Sequence, residues 1–233
     1  MSDILIRELE SVAELKHSEH LQRLIWGEDD PPDNSDLLLA IQHEGGLVAG
    51  AFSDGKMLGF IFGFPSSTQG VQHSHRLGVL SDARGLKLGA RLKWFQRDWC
   101  LARAITLVRW TYDPLRAVNA GLNISSLGAT SSTYHVDYYG PMVGINAGLP
   151  SDRIVAEWKL DSPLVESRAL GIQPDLPQGR RVEIPRDIEQ LVSRDAQAAL
   201  AARLSLRETL MDAFGKGERI IGFDPETASY LIG

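Results

Sequence analysis

Apolar and polar positions alternate with two different periods along the first half of the chain, and they predict strands and helices in turn. An apolar run within residues 3–9 indicates a first strand. Apolar positions on one helical face over residues 12–26 indicate a helix, and Ser11 and Glu14 have capping-box spacing at its start. A second helix, with a serine as its cap, is expected over residues 35–44.

Residues 47–80 have the pattern of consecutive strands. The segments 47–53 and 57–64 are separated by the tight-turn pair Asp54-Gly55, which predicts a hairpin. A fourth strand is expected over 71–80. A helix follows, because apolar residues recur at alternating spacings of four and three, namely at Leu88, Leu92, Phe95, Trp99 and Ala102. A fifth strand, over 105–110, is expected to run parallel to the fourth, since a helix lies between them.

The second half of the chain carries a weaker pattern. Residues 114–127 indicate a helix, and residues 131–139 and 153–160 indicate strands. Residues 161–181 are expected to form a crossing loop or linker, since prolines and glycines are concentrated there. The remaining elements are predicted as a strand at 181–184, a short helix after Pro185, a long helix over about 195–214 with Leu200, Leu204, Met211 and Phe214 on its buried face, and strands at 219–223 and 230–232.

This order of elements predicts an α/β protein with a central mixed sheet flanked by helices, followed by a C-terminal α+β extension. Residues 1–160 are expected to form one core, and residues 161–233 are too few for a second module of the same kind. We expect the extension to pack on the core. We expect the extension to determine acceptor specificity or to form the contacts of a homodimer.

Composition and charge narrow the function classes. The chain has 233 residues, of which 43% are hydrophobic and 23% charged, and this balance argues against disorder. Its 24 Lys and Arg against 30 Asp and Glu give a net charge of −6, which argues against a nucleic-acid partner. The lone Cys100 excludes an internal disulfide. We expect a cytoplasmic protein with no membrane partner, because the sequence has neither a signal-peptide pattern nor an apolar run of about 18 residues.

The segment 77–90 carries the candidate chemistry. It is predicted as a strand, a short loop and the start of a helix, which directs backbone N–H groups and the positive end of the helix dipole at one point. Such a point suits an anion. Gly85 and Gly89 would let a ligand approach the backbone, and Arg84 and Lys87 would add positive charge. The alternative is a plain strand-to-helix turn whose glycines serve packing, because short glycine patterns carry little information alone.

Residues 77–90 resemble the acyl-CoA-binding motif of the GNAT acetyltransferase superfamily, in which a strand is followed by Arg/Gln-x-x-Gly-x-Gly/Ala at the entry to a helix. Four residues fall on this pattern, namely Arg84, Gly85, Leu88 and Gly89. Lys87 stands where the family usually has its middle glycine. The resemblance covers residues 1–160 and implies the family's three-layer fold with a partly splayed sheet.

The resemblance implies acetyl-CoA or another acyl-CoA as co-substrate, and we expect no metal. Leu77 and Val79 would pair with the pantetheine arm like an added strand. The loop backbone would hold the pyrophosphate through Arg84, Gly85, Leu86, Lys87, Leu88, Gly89 and Ala90. Asn119 and Asn123 stand where the family commonly contacts the pantetheine amides, and capping or solvent-facing asparagines are the alternative.

Two histidines precede the loop. They share strand parity with two pantetheine positions, which predicts one common face for His73, His75, Leu77 and Val79. The resemblance implies a catalytic base at His73, since the family often has a carboxylate or histidine four residues before the pantetheine-binding position, and His75 is the second candidate. Ordinary half-buried histidines are an equal alternative. A metal site is disfavoured, because two ligands do not make one.

The sequence offers a weaker candidate for the acid that protonates the leaving thiolate. By resemblance it would be a tyrosine four residues before Gly128, but Ile124 stands there. Tyr138, on the predicted strand 131–139, is the replacement candidate, and tyrosines that simply pack on a sheet are the alternative. A thiol of low enough pKa would also leave without an acid.

Arg109 and Trp110 end the fifth predicted strand on the expected acceptor side. Arg109 would clamp a carboxylate, of an amino-acid acceptor or of a dicarboxylic acyl group, or else pair with Asp113 at the surface. Cys100 is expected to be a packing residue and not a nucleophile. The chain is similar to a bacterial GNAT group with such a tail, some of whose members are linked to N-acylation of amino acids, including succinyl transfer.

The main hypothesis is therefore an acyl-CoA-dependent N-acyltransferase that transfers an acetyl or succinyl group to the amine of a small molecule, with an amino acid as a candidate acceptor. The alternative is a non-catalytic regulatory module of the same fold that binds acyl-CoA as a sensor. A structural α/β domain without a ligand is the third reading.

Overall fold

The computed structural model describes residues 4–83, 85–141 and 148–233. The chain divides into two compact units, one up to Arg109 and one from Trp110 to Gly233. The predicted division into a core of residues 1–160 and an extension of residues 161–233 is a different one, and it stays a prediction. Within the described residues, no helix is both long enough and apolar enough to cross a membrane.

The first unit is built on a mixed sheet with the strand order β1-β2-β3-β4-β5. Strands β1 to β4 pair antiparallel, with β2 and β3 as the predicted hairpin, while β4 and β5 pair parallel as predicted. The elements in chain order are β1 (Leu5–Glu8), α1 (Val12–Trp26), α2 (Ser35–His43), β2 (Leu47–Ser53), β3 (Lys56–Pro65), β4 (Val71–Val79), a 3₁₀ turn (Ser81–Ala83), α3 (Leu88–Leu101) and β5 (Leu107–Tyr112), which ends in the second unit.

The first two helices begin at side-chain caps. At α1, the Ser11 Oγ accepts a hydrogen bond from the Glu14 backbone N–H at 3.2 Å, as predicted. At α2, the cap is Asn34 and not the predicted Ser35, because the Asn34 Oδ1 accepts from the Leu37 N–H at 2.8 Å. The local sequence therefore predicts where both helices begin, although the predicted cap of α2 is one residue too late.

Helices cover both faces of this sheet. On one face, α1 and α2 pack with β2 and β3 in an apolar core that includes Leu15, Leu21, Leu38, Phe60 and Phe62. The neighbouring Gly63 points the opposite way, since a Cβ built on it would meet Gln96 of α3. The sheet therefore lies between two helical layers, and the predicted mixed α/β architecture is confirmed for this unit.

The described residues of the second unit include one pair of strands and one three-stranded sheet. Strands β6 and β7 pair antiparallel, and β8, β10 and β9 form an antiparallel sheet in that order. The elements in chain order are α4 (Ala117–Ala120), a π-helical turn (Gly121–Ser126), β6 (Tyr134–His135), β7 (Arg153–Lys159), α5 (Pro163–Ala169), β8 (Arg180–Glu183), α6 (Ile188–Arg194), α7 (Ala196–Gly215), β9 (Ile220–Asp224) and β10 (Ser229–Ile232).

Two predicted secondary-structure segments of this unit need correction. The predicted strand 131–139 is reduced to β6, because residues 136–139 form a turn in which Asp137 has a φ of 48°. Carboxylate contacts hold this turn: the Asp137 N–H donates to Asp152, and the Ser151 N–H donates to Asp137. The predicted crossing loop 161–181 contains α5, which begins at Ser162 as its cap.

The predicted buried face of α7 is wrong at three of its four residues. Leu200, Leu204 and Met211 are 40–47% exposed and Phe214 is half-buried, while the buried positions of the helix are Ala199, Arg203, Leu206, Leu210 and Ala213. The reason is an ion pair: the buried Arg203 guanidinium donates two hydrogen bonds to the Asp113 carboxylate, at 2.8 and 2.6 Å. This contact joins residues that are far apart in the sequence, so the apolar pattern of one helix does not predict it.

Candidate functional site

The parallel ladder between β4 and β5 is short. It pairs Val71 with Leu107 and ends where His73 pairs with Arg109, whereas β4 continues to Val79. Within the described part of this unit, the β4 edge beyond the ladder has no strand partner on that side. Its backbone N–H and C=O groups can therefore pair with an extended ligand, as in strand addition.

A β-bulge interrupts β4 at His75. In the register with β3, Phe62 pairs with Arg76 and the next residue, Gly63, pairs with Ser74, so His75 is the extra residue. One extra residue reverses the alternation of side chains along the strand. The residues after the bulge therefore point to the opposite face from the one that a period of two predicts.

The bulge overturns the predicted common face of four side chains, namely His73, His75, Leu77 and Val79. The two imidazoles lie on the face of α1 and α2, where they contact the rings of Phe62 and Phe64. Val79 lies on the face of α3, because a Cβ built on its partner Gly59 would meet both Val79 and Leu92 of α3. The histidines and the pantetheine positions are thus on opposite sides of the sheet.

His73 and His75 form a close pair. The Nε2 of His73 and the Nδ1 of His75 are 3.4 Å apart, so one ring can donate to the other in the tautomers that allow it. Burial, followed by repulsion from His75, Lys93 and Arg109, lowers the pKa of His73 to about 4. Partial burial also lowers the pKa of His75. Both rings are therefore neutral at pH 7 and have a nitrogen that can accept a proton.

A buried polar network lies on the opposite face of β4. The Lys93 Nζ donates to Ser74 Oγ at 2.8 Å and to Gln96 Oε1 at 3.1 Å. The Gln96 Nε2 donates to Gln72 Oε1 at 2.6 Å, and the Cys100 thiol reaches the same oxygen at 3.4 Å. Burial lowers the pKa of Lys93 to about 7 and raises the pKa of Cys100 to about 12. The thiol is therefore protonated at neutral pH, which agrees with a packing role.

The loop that enters α3 has left-handed backbone at two positions. Gly85 has a φ of 93°, and Lys87 has a φ of 53°. Lys87 thus takes the conformation that glycine adopts most readily, at an expected cost of about 1–2 kcal/mol. Arg84, predicted for the same loop, lies outside the described residues.

The N-terminus of α3 differs from those of the other long helices. At α1, α2 and α7, a Ser, Asn or Asp side chain accepts a hydrogen bond from the first turn. Lys87 provides no such cap for α3, and the first turn of α3 contains no acidic residue. The first-turn N–H groups, at Leu88, Gly89 and Ala90, have no intrahelical acceptor. Their donors and the helix dipole fit the diphosphate of an acyl-CoA.

Four predicted site residues lie in the second unit, namely Trp110, Asn119, Asn123 and Tyr138. Asn119 is half-buried in α4, and Asn123 is buried in the π-helical turn, a feature that often occurs at functional sites. Trp110 is 7% exposed and packs edge-to-face on Trp158 with 6.1 Å between ring centroids. This packing favours a core role for Trp110, and its role in substrate binding stays a prediction.

Tyr138, the candidate acid, does not lie on a strand as predicted. It lies in the turn after β6, is 48% exposed, and stacks on His135 with 4.8 Å between ring centroids. Ile124, at the position of the family's usual tyrosine, is buried. The hydroxyl of Tyr138 is therefore available at the surface, and its role as an acid stays a prediction.

Arg76 is a residue that sequence reasoning missed. Its guanidinium contacts Asp33 and Asp30, each at 3.0 Å, and its Cζ lies 4.9 Å from the centroid of the Trp26 ring. It therefore ties the segment between α1 and α2 to β4 beside His75. The acidic residues of that segment indicate that it could bind a cation, but the local sequence does not show that the cation is Arg76.

The described residues contain no group of three or more His, Cys, Asp and Glu side chains arranged to hold a metal ion. His73 and His75 thus have no third ligand of these types within residues 4–83, 85–141 and 148–233. The expectation that the reaction needs no metal stays an expectation.

The fold and the loop agree with one family of known proteins. The profile of the acetyltransferase (GNAT) family matches residues 10–120. Similar solved structures include ribosomal-protein-S18-alanine N-acetyltransferase from Escherichia coli, at 20% identity and a TM-score of 0.57, covering 69% of this chain and 96% of that one. Aminoglycoside 6'-acetyltransferase type Ii, at 18% identity and a TM-score of 0.56, covers 68% of this chain and 98% of its own.

A third similar structure is yncA from Salmonella typhimurium, solved with its cofactor acetyl-CoA, at 20% identity and a TM-score of 0.55, covering 69% of this chain and 96% of that one. Identities at this level show a shared fold. No curated protein matches the chain. The predicted fold class is therefore confirmed, while the acceptor has to be argued from this chain's own residues.

Proposed function

We propose that this chain, whose residues 10–120 belong to the acetyltransferase (GNAT) family, is an acyl-CoA-dependent N-acyltransferase that acts on the amine of a small molecule. The family makes the protein an acyltransferase with acetyl-CoA as its general donor. One observation carries the rest: the unpaired edge of β4 leads, through the loop, to the uncapped N-terminus of α3. One stretch of chain thus offers a site for an amide-bearing arm and, beside it, a site for a diphosphate.

The backbone of this stretch would do most of the binding. Leu77 and Val79 would pair with the amides of the pantetheine arm, and the N–H groups of the loop and of the first turn of α3 would hold the diphosphate. Lys87 and Arg84 would add positive charge there. Asn119 and Asn123 would contact the arm as the family's asparagines do. A net charge of −6 does not oppose this, because the anion is held locally by donors and two cations.

The co-substrate supplies a thioester, and the chain must take a proton from the attacking amine. His73 and His75 suit that task, because both imidazoles are neutral at pH 7. A pKa near 4 leaves the nitrogen of His73 free to accept but makes it a weak base. The proton would therefore pass quickly onward, through His75 or water, to solvent.

Two further roles concern the leaving thiolate and a carboxylate on the acceptor or on the acyl group. Tyr138 would protonate the leaving thiolate, or the thiolate would leave unassisted. Arg109, which pairs with His73 at the end of the ladder, would bind the carboxylate of an amino-acid acceptor or of a succinyl group, with Trp110 beside it. A cytoplasmic location and a homodimer are further parts of the proposal.

Binding and turnover test the proposal separately. Acetyl-CoA or succinyl-CoA at 100 times its Kd should stabilise the folded protein by about 2.7 kcal/mol, seen as a rise in Tm. A thiol-release assay with both donors and a panel of amines then measures transfer. If neither donor raises the Tm, acyl-CoA binding is wrong, and the acyltransferase function loses its basis.

Histidine variants test the catalytic assignment. His73→Ala and His75→Ala should each lower kcat while leaving the Kd for acyl-CoA unchanged, and His17→Ala, at an exposed histidine of α1, is the matched control. An equal loss of binding and turnover would instead mean that the pair is structural.

A non-catalytic acyl-CoA sensor is the second candidate. The observation that favours it is Ile124, which is buried where the family usually has its acid. Binding of acyl-CoA with no thiol release for any amine of the panel would support this candidate over the enzyme.

A further inference from the structure

A groove of about 690 Å³ lies in the first unit, between α2 and the β3–β4 side of the sheet. Its apolar lining includes Leu37 and Ile41 of α2 and Phe62 and Phe64 of β3. Leu37 is 47% exposed, so folding leaves part of this apolar wall open to solvent. The volume falls within the range of about 300–1,000 Å³ that is usual for small-molecule sites.

The charged residues among the described lining are two carboxylates, Asp33 and Glu44. The Asp33 carboxylate is partly neutralised by the Arg76 Nε at 3.0 Å. Glu44 is exposed and caps the C-terminus of α2, where the helix dipole is also negative. No lysine or arginine belongs to the described lining, so the potential in the groove favours a cation and opposes a carboxylate.

The groove also reaches the proposed proton acceptors. His75 is part of its lining, and the His75 Nδ1 is 3.4 Å from the Nε2 of His73. The rings of Phe62 and Phe64 stand against the same imidazoles. A ligand with its apolar part on α2 and its amine towards β4 would therefore present that amine to the histidine pair.

We propose that this groove binds the acceptor and that the acceptor is a primary amine on an apolar body, without a carboxylate, which leaves a succinyl group as the carboxylate that Arg109 would bind. The inference rests on the proposed function for the transfer step, but the binding of the amine does not depend on it. The aromatic rings and the two carboxylates both favour an ammonium group, and the open apolar wall favours a hydrocarbon or aromatic body.

The reaction balances with these groups. The ammonium loses one proton to an imidazole nitrogen, and the amine lone pair then forms the C–N bond. As the C–S bond breaks, its electron pair leaves with the sulfur, and the nitrogen gives its second proton to the leaving thiolate, directly or through solvent. The imidazole then releases its proton to solvent. The product amide carries no positive charge, so the attraction of Asp33 and Glu44 is lost on acylation and favours product release.

Three amines that differ in one feature each test the acceptor class. With acetyl-CoA as donor, kcat/KM should be higher for 2-phenylethylamine than for phenylalanine, which adds a carboxylate to the same body, by on the order of tenfold or more. It should also be higher for 2-phenylethylamine than for ethylamine, which lacks the apolar body. A preference for phenylalanine would overturn the inference and support a carboxylate clamp at Arg109.

Groove variants locate the site. Ala40→Trp fills the groove from an exposed position of α2 and should raise the KM for 2-phenylethylamine by on the order of tenfold, with the Kd for acetyl-CoA unchanged. Ala13→Trp, at an exposed position of α1, is its matched control. Glu44→Gln should raise the same KM by about threefold, whereas Glu28→Gln, at an exposed acid outside the lining, should not.

Direct titration separates this inference from the proposed function. Calorimetry of 2-phenylethylamine without any acyl-CoA should show binding that Ala40→Trp abolishes. Amine binding without transfer supports the groove and counts against the enzyme. Transfer without dependence on Ala40 or Glu44 supports the enzyme and overturns the groove. If the amine does not bind and no variant shifts the KM, the inference is wrong.

Discussion

Each unit of the molecule contains a buried cation, Lys93 in the first and Arg203 in the second, and these two cations are held in opposite ways. Lys93 in the first unit is 3% exposed, and its ammonium donates to the neutral oxygens of Ser74 and Gln96. Arg203 in the second unit is 1% exposed in its side chain and donates two hydrogen bonds to the carboxylate of Asp113. The burial is nearly equal, but one cation has a carboxylate partner and the other meets a hydroxyl and an amide.

The difference shows that burial alone does not decide whether a buried side chain keeps its charge. Burial opposes the charge of both groups, and for Lys93 it lowers the pKa to about 7. For Arg203, the hydrogen bonds and the attraction of Asp113 outweigh burial and raise the pKa. The first unit therefore contains a group that can change its charge close to the histidine pair, whereas the second contains a permanent charge that acts as a structural tie.

Breaking the tie should have the largest effect. Arg203→Met leaves the Asp113 carboxylate without its cation, so we expect the free energy of unfolding to fall by about 3–5 kcal/mol. Urea denaturation measures this loss. The double variant Arg203→Met/Asp113→Asn should recover part of it, because the uncompensated charge is then removed.

An exposed ion pair of the same unit is the control. Arg180 and Glu218 are 3.1 Å apart, with side chains 48% and 38% exposed. Arg180→Ala should change stability by no more than about 1 kcal/mol, since exposed pairs contribute little. A similar loss in both variants would mean that burial of the Arg203 pair has no special weight.

Removing the other cation should act in the opposite direction. Lys93→Met removes a charge that burial disfavours, while the Ser74 hydroxyl still donates to the Gln96 Oε1 at 3.2 Å, so we expect a gain on the order of 2 kcal/mol at pH 7. The gain should shrink as the pH rises from about 7 towards 10.5, because unfolded Lys93 then loses its proton as well.

The matched variant is Lys93→Arg. A guanidinium does not lose its proton in this pH range, so the variant should be less stable than the wild-type protein at every pH. Urea midpoints at pH 7, 8.5 and 10 distinguish the cases. Equal stability of the wild-type and Met proteins at all three values would contradict a lowered lysine pKa.

The same contrast explains how far the sequence could predict the fold. The helices α1 and α2, the hairpin and the path from β4 to α3 follow from local periodicity, turn residues and caps. The buried face of α7 does not, because Arg203 is buried against a partner 90 residues away. From the helix sequence alone, Leu200 and Leu204 are expected to be buried and an arginine to be exposed. The ion pair with the distant Asp113 carboxylate is what buries Arg203 instead.

The candidate site also has features that the local sequence predicts and features that depend on contacts between elements. The loop and the histidines are predicted from contiguous residues, and the structure places His73 beside His75 as expected. The bulge at His75 is not predicted, since it arises from the register with β3 and reverses the side on which Leu77 and Val79 lie. Lys93 and Arg76 were missed for the same reason, because each acquires its partners from another element.

Lys87 tests whether the loop needs its charge or its backbone shape. Lys87→Gly should stabilise the protein by up to about 1 kcal/mol, since the relief of left-handed strain is partly offset by the freedom of glycine in the unfolded chain. Lys87→Ala keeps the strain and removes the amine. If both variants weaken acetyl-CoA binding equally, the charge matters; if neither does, the loop needs only its backbone shape.

His73 extends the comparison to a half-buried group whose charge is opposed mainly by burial. Its pKa in the folded protein is about 4, below the ordinary value of 6.5, so the unfolded chain takes up a proton there that the folded protein does not. The contribution of His73 to stability is therefore lost as the pH falls from about 6.5 towards 4. In His73→Gln this part of the acid-induced loss should be absent, so its urea midpoint should fall less between pH 6.5 and pH 4.5. The exposed His17→Gln is the control. If His73→Gln keeps the wild-type slope over that range, burial and the neighbouring His75, Lys93 and Arg109 do not hold His73 neutral.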